Sequence, residues 1–254
     1  MNHSKFYSKQ NEWAGTYLGE VNESHRQTLR KLERLAGAGP HVILELGAGG
    51  GQNAFVMAKA GHRVCAVELD PISASNAQRL AQQCPPKSLT VFQGDFYSVV
   101  ISEKFNVVCY WDGFGIGADE EQRRLLCRIS KWLKPNGVAL VDIYTPWFWL
   151  RAAGNRQSFG NVVREYGFDA AGSRMLDRWW LRGREKHAVE QSLRCYSPAD
   201  LKLLLENSGL RVQSIEPGGA VDFVTGNYSE PVSLERAMMY TATVIRSSCN
   251  KYLK

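Results

Sequence analysis

From residue 42 onward the chain alternates between short, almost continuous apolar runs and longer stretches in which apolar residues recur at helical spacing. Val42-Ile43-Leu44-Glu45-Leu46 is the first such run. Pro40 and Gly47 bound it, and it predicts a buried central strand. Gln52 to Ala60 predicts a helix closed by Gly61. Arg63 to Val67 predicts a second strand, and Ile72 to Gln83 a second helix broken by Pro85-Pro86. Leu89–Gln93 and Phe105–Tyr110 predict strands three and four. The helix expected over Glu121–Lys134 carries Leu125, Leu126, Ile129, Trp132 and Leu133 on one face. Pro135-Asn136-Gly137 then turns the chain into a fifth strand, Val138–Tyr144. Strands alternating with helices imply a parallel sheet covered on both faces.

The flanks depart from this rhythm. Before residue 40 the chain is mixed polar and aromatic. Leu29, Leu32, Leu35 and Ala36 give a helical stripe that ends at Gly37-Ala38-Gly39-Pro40. After residue 145, strand-like pieces lie around Val162–Phe168, Met175–Leu181 and Ala188–Tyr196, with glycine-containing turns between them. They predict an antiparallel insertion rather than another βα unit. Ser197-Pro198-Ala199-Asp200 opens a helix, with Ser197 suited to the N-cap and Asp200 to the positive end. Gly209 closes that helix, and two strands near Leu210–Ile215 and Ala237–Ile245 follow.

The 254 residues suit one large domain or a core carrying an insertion, with apolar content of 44% and charged content of 22% typical of globular proteins. No apolar run reaches the roughly 18 residues needed to span a bilayer. Met1 to Gln10 is polar, which argues against a secretory signal. The six cysteines (65, 84, 109, 127, 195 and 249) show no CxxC spacing, so neither a disulfide framework nor a structural zinc site is expected. A reducing cytoplasm is the natural compartment, and no metal is assigned. Of the net charge of +6, residues 146–196 hold most, with eight Arg and one Lys against five acids. A solvated surface accounts for such a run, and nucleic-acid binding is permitted by it without being required.

The glycines after the first strand carry the chemistry. A glycine turn between strand and helix lets a ligand approach the backbone and aims free N–H groups at it. The dinucleotide fingerprint needs a third glycine at position 52, where this chain has Gln, and no Walker lysine follows. What stands here is E-x-G-x-G-x-G, with Glu45 inside the strand and glycines at 47, 49, 50 and 51.

This pattern resembles motif I of the class I S-adenosylmethionine-dependent methyltransferases of the small-molecule type. The likeness extends through Val67-Glu68-Leu69-Asp70, Gln93-Gly94-Asp95-Phe96, Phe105–Asp112 and Leu133-Lys134-Pro135-Asn136-Gly137-Val138. It covers roughly residues 42–145 and, more loosely, 197–245. Asn106 departs from the family's usual Asp. The resemblance implies a Rossmann-like three-layer α/β sandwich with a seven-stranded, mostly parallel sheet, and an antiparallel lid insertion after strand five. The whole chain, 1–254, would be a single methyltransferase domain. Residues 1–40 would form a helical cover and 146–196 the substrate lid.

The resemblance also implies the cofactor, S-adenosylmethionine, with S-adenosylhomocysteine as product. Glu45, Gly47, Ala48, Gly49 and Gly51 would form its cradle. Glu68 would take the ribose hydroxyls, with Leu69 beside it, and Asp95 and Phe96 would lie at the adenine. Tyr17, with Tyr7 second, would offer a hydroxyl to the methionine carboxylate. Each has a plainer reading: Glu68 as a helix N-terminal acid, Asp95 as a loop cap, the tyrosines as packing. Glu45 is harder to reduce to structure, because a carboxylate in a buried strand needs a partner. Trp111 and Asp112, just past strand four, sit where open α/β sheets bind ligands.

Methyl transfer from a sulfonium needs chiefly in-line positioning and desolvation, with a general base only where the acceptor arrives protonated. His187 is a weak candidate base, and a plain surface histidine is the favoured reading of it. Asp112, Tyr144, Trp149 and Trp180 are candidates for the acceptor site, and the aromatic, Arg-bearing insertion suggests a ring-containing small molecule. Two other readings stay open: an RNA methyltransferase, and an NAD(P)-dependent oxidoreductase, the latter disfavoured by Gln52. The sequence assigns no membrane partner, no oligomeric state, and no choice among O, N and C as acceptor.

Overall fold

The computed structural model describes residues 3–247, so Cys249 lies outside the described residues. Two helices precede the sheet. Helix α1 spans His3–Ala14 and α2 spans Glu23–Ala36. Asn22 caps α2: its Oδ1 accepts the Ser24 N–H at 3.0 Å, while His25 Nδ1 accepts the Asn22 N–H at 3.0 Å.

The alternating core then runs β1 (Val42–Leu46), α3 (Gln52–Lys59), β2 (Arg63–Glu68), α4 (Pro71–Ala81), β3 (Leu89–Gln93), β4 (Phe105–Phe114), α5 (Asp119–Trp132) and β5 (Leu133–Tyr144). Beyond it come α6 (Pro146–Ala152), β6 (Arg156–Phe159), β7 (Val162–Asp169), β8 (Arg174–Leu181) and β9 (Val189–Arg194). The chain finishes with α7 (Pro198–Leu204), β10 (Leu210–Pro217), β11 (Ala220–Val221), β12 (Tyr228–Ser229) and β13 (Met239–Arg246).

The main sheet has seven strands in the order β10-β13-β5-β4-β1-β2-β3. All neighbours are parallel except β13, which is antiparallel to both β5 and β10. The seven-stranded, mostly parallel sandwich expected from the sequence is therefore the fold. Strand alternation divides the core. Ile43, Val107, Cys109 and Trp111 face α2 and α3, whereas Leu44, Leu46, Val108 and Tyr110 face α5 and α7. The order reverses between β1 and β4, and the carboxyl ends of these strands open the crevice in which such folds bind ligands.

The insertion is a four-stranded antiparallel sheet in the order β6-β7-β8-β9. Three of its strands were expected. The structure adds β6 and the helix α6, where Pro146 follows Thr145 and supplies the fixed φ of a first helical turn. One face of this sheet (Phe6 of α1 against Val162, Trp179 and Val189) is closed by the N-terminal helix. Met175 and Leu193 on the same face pack with Tyr144, Phe148 and Trp149. Ser197 caps α7 as its sequence implies, accepting the Asp200 N–H at 3.1 Å. Among the described residues no helix is long and apolar enough to cross a membrane, and no His, Cys, Asp or Glu cluster is arranged to hold a metal.

Candidate active site

The glycine turn is pressed from two sides. A Cβ on Gly50 would lie 1.7 Å from the carbonyl oxygen of Tyr17, and one on Gly51 would lie 2.5 Å from Ala77 Cβ. Gly51 also begins α3 with φ +83°, a conformation costly for any residue with a Cβ. Gln52, at the position of the missing third glycine, donates from Nε2 to the carbonyls of Tyr17 (3.0 Å) and Gly19 (2.8 Å). That side chain ties the N-terminal segment over the turn.

Glu68, at the end of β2, answers the turn from the other side. Its Oε2 accepts the Gly49 N–H at 2.7 Å, and its Oε1 accepts the Asp70 N–H at 2.8 Å. Burial raises its pKa, and these bonds offset part of the rise. Asp70 caps α4 and receives Ser8 Oγ (2.8 Å) and Asn11 Nδ2 (3.0 Å) from α1. Burial alone would raise the Asp70 pKa; bonds from Ser73, Ser8 and Asn11 outweigh it and hold the carboxyl below its ordinary value.

Between these elements lies a cavity of two lobes, both bounded by Tyr17, Gly47, Gly49 and Asp112. The lobe of about 240 Å³ is walled by Tyr7, Glu68, Leu69, Asp95, Phe96 and Tyr110. The lobe of about 380 Å³ is walled by Thr16, Glu45, Ala48, Asn53 and Trp111. Glu45 is 2% exposed, and its Oε2 has no hydrogen-bond partner. Burial first, then the charge of Glu68, pushes its pKa up to about 8. A cation such as an ammonium is the partner this atom lacks. With the glycine cradle and Glu68, the residues fit the amino-acid and ribose ends of S-adenosylmethionine.

Asp112 stands where the lobes meet. Its backbone takes φ +48°, which Asp tolerates better than most residues, and Gly113 follows at φ +143°. The residue has exposed surface and lines both lobes, and desolvation by the protein around it raises its carboxyl above the ordinary range. The hydroxyl of Tyr144 donates to Asp112 Oδ1 and offsets part of that rise.

The structure brings Tyr17, Glu45, Gly47, Ala48, Gly49, Glu68, Leu69, Asp95, Phe96, Trp111 and Asp112 to the cavity walls. Gly51 shapes the turn from behind, against Ala77. Tyr17 donates its hydroxyl to Gln10 Oε1 at 3.2 Å, while its ring lies 6.0 Å from that of Tyr7. Trp149 is buried behind the wall. It stacks on Tyr144 at 4.9 Å and donates from Nε1 to the Met238 carbonyl at 2.9 Å.

Two expectations are corrected. Trp180 faces away from the cavity, because successive residues of β8 point to opposite faces and Trp179 takes the inner one. On the outer face Trp180 lies between Arg156 and Arg178, whose guanidiniums stand 5.3 and 5.1 Å from its ring. His187 lies not on a strand but in a short 3-10 turn, Glu185–His187. It is exposed and shares the outer cleft with Trp180, so the structure does not bring it to the reaction site as a base.

Sequence reasoning missed Tyr110, Ile116 and Tyr97 in the wall. It also missed Arg164 and Asp177 on the inner face of the insertion. Arg164 donates from Nε and Nη2 to the two oxygens of Asp177, both at 2.7 Å. Alternation along β7 was the available signal, because Val162, Arg164 and Tyr166 share a face.

Residues 43–137 match a family described as a methyltransferase domain. Over 206 residues the chain is 28% identical to the cypemycin N-terminal methyltransferase of a Streptomyces species, covering 77% of this chain and 83% of that one. Among solved structures it is similar to the CcbJ methyltransferase of Streptomyces caelestis (TM-score 0.71, 18% identity, 96% and 98% of the two chains). It is also similar to a 1,6-didemethyltoxoflavin-N1-methyltransferase of Burkholderia thailandensis (TM-score 0.61, 16% identity, 96% and 86% of the chains), solved with that substrate and S-adenosylhomocysteine. The family match displaces the oxidoreductase reading.

Proposed function

This chain is a class I S-adenosylmethionine-dependent methyltransferase, and from that premise we propose that it methylates an amine nitrogen of a natural-product-type acceptor, a small molecule or a peptide. The observation that carries this reading is Asp112, a carboxylate that lines both lobes and is held by Tyr144. One of the relatives supports it, being named an N-terminal methyltransferase.

The cofactor supplies an electrophilic methyl group on a sulfonium. Glu45, the glycine turn and Glu68 would hold it, with Leu69, Asp95 and Phe96 toward its base. An amine reaches the site mostly as an ammonium and must lose a proton before it can attack. Asp112, with its carboxyl raised by desolvation, is better matched to accept that proton than a carboxylate in the ordinary range would be. Positive charge then develops on the nitrogen, and the same carboxylate stabilises it in a site with little water. Tyr7 and Tyr17 close the cavity from the N-terminal side and exclude solvent.

The acidic wall formed by Glu45, Glu68, Asp95 and Asp112 disfavours an RNA backbone at the site. A ring in the acceptor would meet the flat faces of Tyr7, Tyr17 and Tyr110, which replace the insertion's own tryptophans in that role. We place residues 146–196 as a lid and the enzyme in the reducing cytoplasm, the latter on the cysteine pattern. The test is to incubate the enzyme with methyl-labelled cofactor and paired amine and hydroxyl acceptors of the same skeleton. Label on the amine members supports the reading; label confined to the hydroxyl members would overturn it.

A further inference from the structure

Among the described residues, every charged side chain on the cavity wall is an acid: Glu20, Glu45, Glu68, Asp95, Asp112 and Glu121 line one lobe or the other, and no Lys or Arg lines either. His25, the one imidazole of the wall, accepts the Asn22 N–H at Nδ1, so its ring is neutral in this arrangement. Most of the acids already have partners. Glu68 and Asp95 take backbone N–H groups, Glu121 takes the Ala118 N–H at 2.9 Å, and Asp112 is held by Tyr144. Glu45 keeps a bare Oε2 at 2% exposure, which the cofactor's ammonium would satisfy. Glu20 is left over. It is exposed and lines the lobe of about 380 Å³ together with Asp112. Its carboxylate has neither a hydrogen-bond donor nor an ion-pair partner among the described residues.

We infer that the acceptor is an amine carrying a second positive group: Asp112 receives the nitrogen that is methylated, and Glu20 receives the remote cation. An α,ω-diamine has this pattern. This inference rests on the amine reading above. Two carboxylates in one lobe, with no basic side chain to neutralise them, favour a dication over a monocation and repel an anion. Oδ1 of Asn53, in the wall of the same lobe, also lacks a partner, so the lobe is short of donors rather than of acceptors. The bound cofactor carries one net positive charge of its own. The acids of the wall offset the repulsion that a dication would meet beside it.

The experiment uses the full chain with S-adenosylmethionine and three matched series of straight-chain probes: n-alkylamines, α,ω-diamines and ω-amino acids of increasing length. A further probe, 4-amino-1-butanol, sets a nitrogen against an oxygen. Methylation is read as initial rate, and binding by ligand-observed NMR in the presence of S-adenosylhomocysteine. We expect kcat/KM or affinity for the best diamine to exceed that for the matched alkylamine by about 5- to 50-fold, more than its two equivalent ends explain, and the matched amino acid to fall below both. In Glu20→Gln the diamine advantage should shrink to within about threefold. In Glu20→Lys the order should invert, with the amino acid above the diamine, an outcome that a merely structural role for Glu20 would not produce. Calorimetry with S-adenosylhomocysteine checks that both variants keep the cofactor site. Diamines no better than alkylamines at any length, an order unchanged in both variants, or no binding of any probe overturns the role of Glu20; the first two of these leave the amine reading standing. Label on the oxygen of 4-amino-1-butanol in place of its nitrogen overturns the amine reading and this inference with it.

Discussion

Tyr144, the last residue of β5, donates its hydroxyl proton to Oδ1 of Asp112 at the carboxyl end of β4. Two parallel neighbours thus fix one carboxylate where the lobes of the cavity meet. Asp112→Asn should keep the size and the bond while removing the base, lowering kcat by about 10²- to 10⁴-fold. Affinity for S-adenosylhomocysteine, read by calorimetry, should change little. A variant with full kcat would remove Asp112 from the chemistry.

The same pair sets a pH dependence with a definite sign. Asp112 works as the ionised base, so activity falls as pH drops through its folded pKa, which desolvation has raised. The Tyr144 bond lowers that pKa, and Tyr144→Phe removes it. The acid limb of the kcat profile should therefore move to higher pH in the variant. A limb that stays in place or moves lower contradicts the assignment.

Glu45 makes a second titration visible in stability. Its folded pKa, pushed up to about 8, lies above that of an unfolded Glu, so in the cofactor-free protein the native state retains a proton that the unfolded chain gives up. Stability should fall as pH rises from the ordinary carboxylate range through about 8, and this loss is absent below the unfolded pKa. Glu45→Gln abolishes the dependence: in calorimetric scans the cofactor-free variant should gain on the order of 5 °C over wild type near pH 9 and nothing near pH 4. Cofactor affinity should drop at least about tenfold, because the ammonium loses its counter-charge.

Gly50 admits no side chain without moving Tyr17. Gly50→Ala places a Cβ 1.7 Å from the Tyr17 carbonyl, against backbone that cannot yield as a flexible side chain would. The segment around Tyr17 should detach and the two bonds from Gln52 should break. Amide exchange near residues 15–20 should then speed up by about tenfold or more, while the strands keep their protection. Unchanged protection there would mean that the segment is held by α1 alone.

Residues 42–145 were legible because each element there is set by its own period, and because the glycines and acids that bound the crevice fall at strand ends. Glu45, Glu68 and Asp95 were placed by the βα order together with the resemblance to the methyltransferase motifs. The insertion was less legible. Trp179 and Trp180 are adjacent and chemically alike. Which one faces inward is decided by Phe6 of α1, a partner remote in sequence. Arg164 was one of eight arginines in a segment that reads as solvated surface, and only its pairing with Asp177 across β7 and β8 distinguishes it. His187 stood one residue before the strand expected from Ala188, and in the structure it ends a 3-10 turn ahead of β9, which begins at Val189.

The two corrected residues and one buried neighbour make a contrast that tests the geometry of the insertion. His187→Ala alters only an exposed turn of the outer cleft and should leave kcat/KM within about twofold, the ordinary range for a surface change of under about 0.5 kcal/mol. Trp180→Ala, by contrast, removes a buried ring and should cost stability by about 3–5 kcal/mol while leaving kcat/KM within about twofold where the variant is folded. Trp149 is 1% exposed and supports Tyr144 through a 4.9 Å stack. Trp149→Ala should destabilise the protein by about 3–5 kcal/mol through the cavity left behind. At temperatures where the variant is folded, it should also lower kcat, because Tyr144 loses the surface that orients its hydroxyl toward Asp112. Trp149→Phe keeps a stacking ring but not the indole bond to Met238, and it should recover most of kcat while remaining less stable than wild type. If His187→Ala reduced kcat as strongly as Asp112→Asn, the insertion would have to reorient during turnover to bring its outer turn to the cavity.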